Sequence, residues 1–398
     1  MPTAPRPDGS DRTPAAAFEV VVPPPADGST RARLGRLTLP HGVVETPQFM
    51  PVGTNATVKA LDPEDLRTVG ASIILANTYH LYLRPGHERI ARLGGLHKFM
   101  AWDRPILTDS GGFQVVSLGE LRKIDEDGVT FQSHLDGSYH RFTPELSIEV
   151  QEALGADVAV AFDQPVPPAS TGYEALAEAT ARSDRWAARS LAAHSRRDQA
   201  IFGIIQGGLD PVLRAESTRV VAGLPFDGIC IGGLAGDETA AQREATLDLV
   251  VPMLDDDPRP RYLMGLGSPV DLLEAVHRGV DMFDCVLPAR VARNGQLWVP
   301  GGKLNMRNAQ FVADPRPVQD GCRCLLCSNF SRAYLAHLFR AEELLTYRLA
   351  TCHNLTFTLD FMAEIRSDLR SGTFASRLPE LRAKSQLSRS SAVAVQSE

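Results

Sequence analysis

The sequence predicts an α/β protein, a (β/α)8 TIM-like barrel that carries an insertion near its C-terminal end. Three observations point there. Short apolar runs rich in β-branched residues recur along the chain, a longer helix-like stretch follows each run, and a polar residue or a glycine closes it.

The clearest runs are Ala71–Ala76, Pro105–Leu107, Asp157–Phe162, Ile201–Ile205, Gly228–Ile231, Arg261–Met264 and Met282–Phe283, with Val286 beyond. Runs without strict apolar–polar alternation are buried on both faces, as parallel strands under helical crossovers are. The stretches between them, Tyr173–Ser195, Pro211–Ala222, Ala240–Leu254 and Pro269–Arg278, have helical spacing. Seven or eight such units favour a closed barrel. An open doubly wound sheet would show a glycine-rich phosphate loop after its first strand, and none is found. The closing residues Asn77, Asp109, Asp163, Gln206, Gly233, Gly265 and Asp284 sit at C-terminal strand tips. In a β/α barrel these tips converge on one mouth, where catalytic groups lie.

The 398 residues, 43% hydrophobic and 22% charged, suit one large domain. We expect disordered tails at 1–16 and 384–398, a barrel over 17–383, and a metal-binding subdomain at 303–356 within it. A formal net charge of −7 excludes a global basic field, so contact with nucleic acid would rest on a local patch. No apolar run is long enough to span a membrane, and Met1 to Asp27 lacks the apolar centre of a secretory signal. Three of the six cysteines crowd together, which suits a metal site in a reducing compartment and predicts a cytoplasmic location.

Two motifs carry candidate chemistry. In Thr108-Asp109-Ser110-Gly111-Gly112-Phe113-Gln114 the glycines let backbone amides approach a ligand, and Asp109 is a candidate acid or base. Phe283-Asp284-Cys285-Val286-Leu287-Pro288 buries a carboxylate in an apolar strand end, a costly position unless the charge is paired or used. Two carboxylates at one mouth suit glycosyl chemistry, one attacking an anomeric carbon and the other handling the leaving group's proton. Cys322, Cys324 and Cys327 with His353 have the ligand types of a closed structural zinc site, one ion per chain; Cys352 is the alternative fourth ligand. Cys230 and Cys285 read as core residues. Between Val286 and Leu349, nine basic residues face four acidic ones, a local positive face in which Arg290 and Arg293, close to Asp284, are the better candidates for nucleic-acid contact.

These stretches, together with Ala76-Asn77-Thr78-Tyr79-His80-Leu81, Gly232-Gly233-Leu234-Ala235, Tyr262-Leu263-Met264-Gly265 and Arg293-Asn294-Gly295, resemble the tRNA-guanine transglycosylases over about Arg33 to Arg382. The resemblance implies a homodimer that exchanges guanine at the wobble position of certain tRNAs for a free 7-deazaguanine base, without a redox cofactor. It implies that Asp284 is the nucleophile of a covalent tRNA intermediate and that Asp109 is the acid/base. It also implies that Asp163, Gln206 and Gly233 read the base, flanked by Phe113 and Met264, with Ser110, Gly111, Gly112 and Leu234 lining the pocket. Contact with tRNA would fall to Gly265, Leu266, Gly267, Ser268, Pro269, Val270 and Asp271, and to Ala289, Arg290, Val291, Ala292 and Arg293. The target nucleotide must then be splayed out of its loop.

Two places depart from the bacterial pattern. Gln164-Pro165 stands where Glu-Cys is usual after the base-reading Asp, and Gly236 stands where Val is usual. Both changes would widen the pocket beside the base's 7-substituent, so queuine is expected to be accepted alongside or instead of its 7-aminomethyl precursor. Two other classes compete. A non-catalytic nucleic-acid-binding module leaves Asp109 and Asp284 without a reason to be at strand tips. A retaining glycosidase acting on sugars would display more aromatic platforms than three Trp.

Overall fold

The computed structural model describes residues 15–117 and 122–387. Of the expected tails, 1–14 and 388–398 lie outside the described residues, and the last helix, Phe374–Ser385, runs into the segment read as the C-terminal tail.

Eight parallel strands close a barrel: β1 (Gln48–Gly53), β2 (Ile74–Ala76), β3 (Ile106–Thr108), β4 (Val158–Val160), β5 (Ala200–Ile205), β6 (Gly228–Ile231), β7 (Arg261–Leu263) and β8 (Met282–Cys285). Seven of these fall on the apolar runs. The first, Gln-Phe-Met-Pro-Val-Gly, escaped the reading because it opens on a polar residue and holds a proline. It forms the seam, with Met282 opposite Gln48 and Asp284 opposite Met50. Leu75, Leu107, Val158, Val160, Phe202, Ile204, Cys230, Tyr262 and Met282 form one buried cluster with Leu37, Leu39 and Val44 of an antiparallel sheet (Ala17–Val22, Leu34–Leu39, Gly42–Thr46). That sheet therefore plugs one end of the barrel interior. A second antiparallel sheet (Arg122–Ile124, Val129–Gln132, Tyr139–Phe142) follows β3, and a hairpin (Gln296–Val299, Gly302–Asn305) follows β8.

The plugged end is the N-terminal face, where buried charges are matched. Arg33 grips Asp281 through two bonds, Nε to Oδ1 at 3.0 Å and Nη2 to Oδ2 at 2.7 Å. Just before β4, Asp157 accepts from the backbone amides of His41 at 3.0 Å and Ile106 at 2.8 Å. Its two oxygens also meet His41 Nδ1 at 2.8 Å and His97 Nε2 at 3.0 Å. Burial pushes the Asp157 pKa up, but the bonds to His97, Ile106 and His41 outweigh burial and hold it below the usual value. The three side chains are of metal-ligand type. However, the imidazole rings are stacked, 3.5 Å apart and 14° from parallel. Parallel rings aim their nitrogens side by side, each as a donor to a different oxygen of one carboxylate, and not at a common ion. The arrangement is a hydrogen-bonded clamp between the plug and the barrel.

Asp157→Ala would leave two backbone amides without partners, each costing about 1–3 kcal/mol. We expect a lowered urea midpoint, corresponding to about 2–6 kcal/mol, with an unchanged slope. Asp157→Asn, which keeps an acceptor, should lose less; equal losses would reject the clamp.

Candidate active site

The mouth is built from tips of neighbouring strands that donate to one another's carboxylates. Asp109, after β3, accepts from Asn77 Nδ2 at 2.6 Å, the Thr78 amide at 2.7 Å and Gln114 Nε2 at 3.0 Å. Two of these donors come from the tip of β2. Asp163, after β4, accepts from Ser110 Oγ at 3.1 Å and from Gln206 Nε2, after β5, at 2.7 Å. Asp284, in β8, accepts from the Tyr262 hydroxyl at 2.6 Å and the Gly265 amide at 2.8 Å, and both donors converge on Oδ1.

Desolvation dominates the electrostatics. Burial raises Asp109 to about 6, against its three donors, and the charge of Asp284 raises it further. Burial likewise raises Asp163 to about 6, opposed by Gln206 and Ser110, with the charge of Asp109 adding to the rise. Burial raises Asp284 as well, against Tyr262 and Gly265. The three carboxylates thus share a low-dielectric mouth, and Asp109 and Asp163 are poised to exchange protons not far below neutral pH.

The other residues singled out from the sequence divide by position. Gly112 must lack a side chain, because a Cβ there would stand 2.6 Å from the Asp163 carbonyl. Gly233 has φ 65°, and its Cβ would meet Gln206 Oε1 at 2.5 Å. Gly111 packs on Phe142, Leu234 is buried, Met264 is half-buried, and Phe113 is 63% exposed. Gly267 leaves room for Cys285, and Leu266 and Pro269 are buried. Ser268 caps the Pro269–His277 helix and bonds Asp271, whose carboxylate also takes Arg243 at 3.2 Å; Val270 is half-buried. In the Leu287–Arg293 helix, Ala289 and Ala292 face inward, Val291 is half-buried, and Arg290 is exposed. Within these two stretches the positive charge is carried by Arg290 and Arg293. Burial and the charge of Arg290 lower the pKa of Arg293, so the two guanidiniums lie near each other. Of the later arginines, Arg316 and Arg332 pair with Asp314, Arg323 with Asp360 and Arg348 with Asp65. They tie the structure together rather than form a free positive face.

Gln164 and Gly236 flank this mouth unequally. Gln164 Oε1 accepts from Arg182 at 2.7 Å, which ties the side chain to the Tyr173–Ala193 helix. A Cβ at Gly236 would stand 3.0 Å from Pro168 Cδ. The space that the glycine frees is taken by Pro168, contrary to the expectation of an opened wall there.

Tyr262, Asn77 and Gln114 were not picked out as site residues. Tyr262 lies within an apolar strand run, and its hydroxyl is invisible to hydropathy. Asn77 was visible only as a strand tip.

Cys322, Cys324, Cys327 and His353 form one cluster that could hold a metal ion. The three sulfurs lie 3.8, 3.5 and 3.3 Å from His353 Nδ1. A tetrahedral ion with metal–sulfur bonds near 2.3 Å and metal–nitrogen bonds near 2.0 Å puts ligands about 3.5 Å apart, so the set fits. His353 Nε2 lies 2.8 Å from the Trp298 carbonyl, an outer contact that fixes the ring. Cys352 instead packs in the main core, which leaves His353 as the fourth member.

A family profile described as Queuine tRNA-ribosyltransferase matches residues 27–386. A queuine tRNA-ribosyltransferase of Symbiobacterium thermophilum is 55% identical over 350 residues, covering 88% of this chain and 87% of that protein. Proteins of the same name from Pelotomaculum thermopropionicum (56% identical; 87% of this chain, 93% of that one) and Desulforudis audaxviator (55%; 90% and 95%) are equally similar.

For the metal cluster, elemental analysis should find one divalent ion per chain, retained in Cys352→Ala and lost in Cys324→Ala, with a lowered melting temperature in the latter. Loss in Cys352→Ala and retention in Cys324→Ala would reverse the ligand assignment.

Proposed function

Because the chain belongs to the queuine tRNA-ribosyltransferase family, whose members are pentosyltransferases of tRNA modification, we propose that it exchanges guanine at the anticodon wobble position for a 7-deazaguanine by double displacement. The observation that carries this reading is the trio of buried carboxylates with Asp284 held by one oxygen only. Tyr262 and Gly265 occupy Oδ1, which leaves Oδ2 to attack the ribose anomeric carbon. The C1′–N9 bond breaks as the C1′–Oδ2 bond forms, and Asp109 gives its proton to the departing guanine. The incoming base loses its N9 proton to Asp109, and N9 displaces Asp284 with net retention. A carboxyl that titrates near 6 suits both halves of this proton cycle.

Asp163, Gln206 and the Gly233 backbone read the hydrogen-bonding edge of the base, with Ser110, Gly111, Gly112 and Leu234 around it. Exposed Phe113 and half-buried Met264 supply its flanks. Arg290 and Arg293 hold neighbouring anticodon phosphates. The cluster of three thiols and one imidazole holds a structural zinc; with four protein ligands no position is left for a catalytic water. Zinc would keep the segment around Cys322–His353 folded. The enzyme acts as a homodimer, to which exposed Tyr334, stacked on Phe330 at 5.1 Å, and exposed Leu344 offer apolar surface. No helix among the described residues is long and apolar enough to cross a membrane, and the free thiols suit the cytoplasm.

Queuine is accepted alongside or instead of the 7-aminomethyl precursor. Support comes from Gln164, a neutral side chain drawn away by Arg182, and not from Gly236, whose space Pro168 fills.

Denaturing enzyme mixed with tRNA should trap a covalent adduct, absent in Asp284→Ala. An adduct that persists there would pass the nucleophile to Asp109. Adduct formation, which uses the Asp109 proton, should fall as pH rises through about 6, whereas attack by the incoming base, which needs that carboxylate free, should fall as pH drops through it. Offered each base separately with unmodified tRNA, the enzyme should incorporate queuine; incorporation of the precursor alone would sink the broader specificity.

A further inference from the structure

Arg214, on the Pro211–Ala222 helix outside the barrel wall, is fully buried. Its guanidinium spends its donors on backbone carbonyls. Nε donates to Gly208 at 2.7 Å, Nη1 to Ile205 at 3.2 Å, and Nη2 to Gly232 at 2.9 Å and more weakly to Gly233 at 3.5 Å. These carbonyls belong to the tips of β5 and β6, the two strands whose ends carry Gln206 and Gly233. Burial lowers the Arg214 pKa to about 9, and Glu238 is the one charge that opposes the drop. A buried cation is a poor source of stability, since apolar side chains of similar size fill such places as well or better. Its position is better explained by what it orients.

The peptide is planar and trans, so each N–H points opposite to its own C=O. With the Gly232 and Gly233 carbonyls turned toward Arg214, the amides of Gly233 and Leu234 are turned away from it, toward the barrel mouth. A cation on the carbonyl side also polarises those amides and strengthens them as donors. The same helix holds the neighbouring strand tip in place. Ser217 Oγ accepts the Gln206 amide at 3.1 Å, and a Cβ at Gly207 would collide with the Arg214 backbone nitrogen at 2.6 Å.

We propose that Arg214 is a positioning residue for base recognition, which fixes and polarises the Gly233–Leu234 amide pair that receives a carbonyl oxygen of the purine. This rests on the base-exchange reading above. It predicts an effect on the free base that a general scaffold role would not produce, because tRNA is also held by contacts far from these amides.

The test is exchange of labelled guanine into tRNA by Arg214→Ala and Arg214→Lys, with both substrates varied. The KM for guanine should rise about tenfold or more, the size of a weakened hydrogen bond to a fixed donor, while the KM for tRNA stays within about threefold. Arg214→Lys keeps the charge but loses the fork, so its guanine KM should stay raised. Guanidinium ion at a few millimolar should bring the guanine KM of Arg214→Ala back toward the wild-type value. Parallel changes in both KM values, or a lowered melting temperature with unchanged KM and no rescue, would overturn the proposal. Failure of the wild-type enzyme to exchange guanine at all would instead overturn the base-exchange reading.

Discussion

Three carboxylates share one desolvated mouth, and that placement is tolerable only because each finds hydrogen-bond donors on an adjoining strand tip. Asp109 leans on Asn77 and Thr78, Asp163 on Ser110 and Gln206, and Asp284 on Tyr262 and Gly265. The donors run from strand to strand around the rim, so they exist only when the parallel order and register of the barrel are correct. The glycines follow from the same constraint. Side chains at Gly112 or Gly233 would wedge apart the bonds that hold Asp163 and Gln206. Because burial still wins over these donors, the carboxyls of Asp109 and Asp163 keep a pKa near 6, which separates them from carboxylates that merely cap turns.

The two ends of the barrel treat charge in opposite ways. At the plugged end Asp281 faces a bidentate Arg33, and Asp157 meets two backbone amides and two imidazole rings that hold its pKa low. At the open end no arginine among the described residues reaches Asp109, Asp163 or Asp284. Neutral donors hold them instead, which keeps them titratable. The metal-bearing segment is joined to this open end through Asn354, next to His353. Its amide donates to the carbonyls of Pro288, at 3.0 Å, and Gln296, at 3.1 Å, while its oxygen accepts the Trp298 amide. The helix that carries Arg290 and Arg293 is thereby fastened to the segment that the metal would organise.

Much of this was legible in the sequence, for identifiable reasons. Strands buried on both faces announce themselves as apolar runs, and a polar residue that closes such a run has few places to be but a strand tip. The first strand lacked that signature, since Gln48 begins it and Pro51 interrupts it, and only its pairing with β8 and β2 reveals it. The cysteine spacing was legible because thiols seldom crowd into a polar loop without cause. The sequence favoured His353 over Cys352 as the fourth ligand, and packing agrees: adjacent helical residues point to different sides, and His353 is the one that faces the sulfurs. For Arg316, Arg323, Arg332 and Arg348 the sequence shows the charge and hides the carboxylate that pairs with it. Tyr262 and Arg214 were passed over for a related reason, being polar groups inside segments whose overall pattern says core.

The seam between β8 and β1 joins residues from opposite ends of the chain, Met282 with Gln48 and Cys285 with Pro51. Arg366, from the long Leu345–Ser371 helix, then bonds the Pro47 carbonyl and Gln48 Oε1, both at 2.7 Å, and bolts the seam from outside. During synthesis β1 emerges first yet cannot close its outer edge until β8 has left the ribosome, and the bolt arrives later still. A nascent chain of this architecture therefore carries an open strand edge through most of its translation, at ~5–20 residues per second. Unpaired edges recruit other strands. The proline within β1, a residue without an amide proton, is well placed to blunt that edge during the wait.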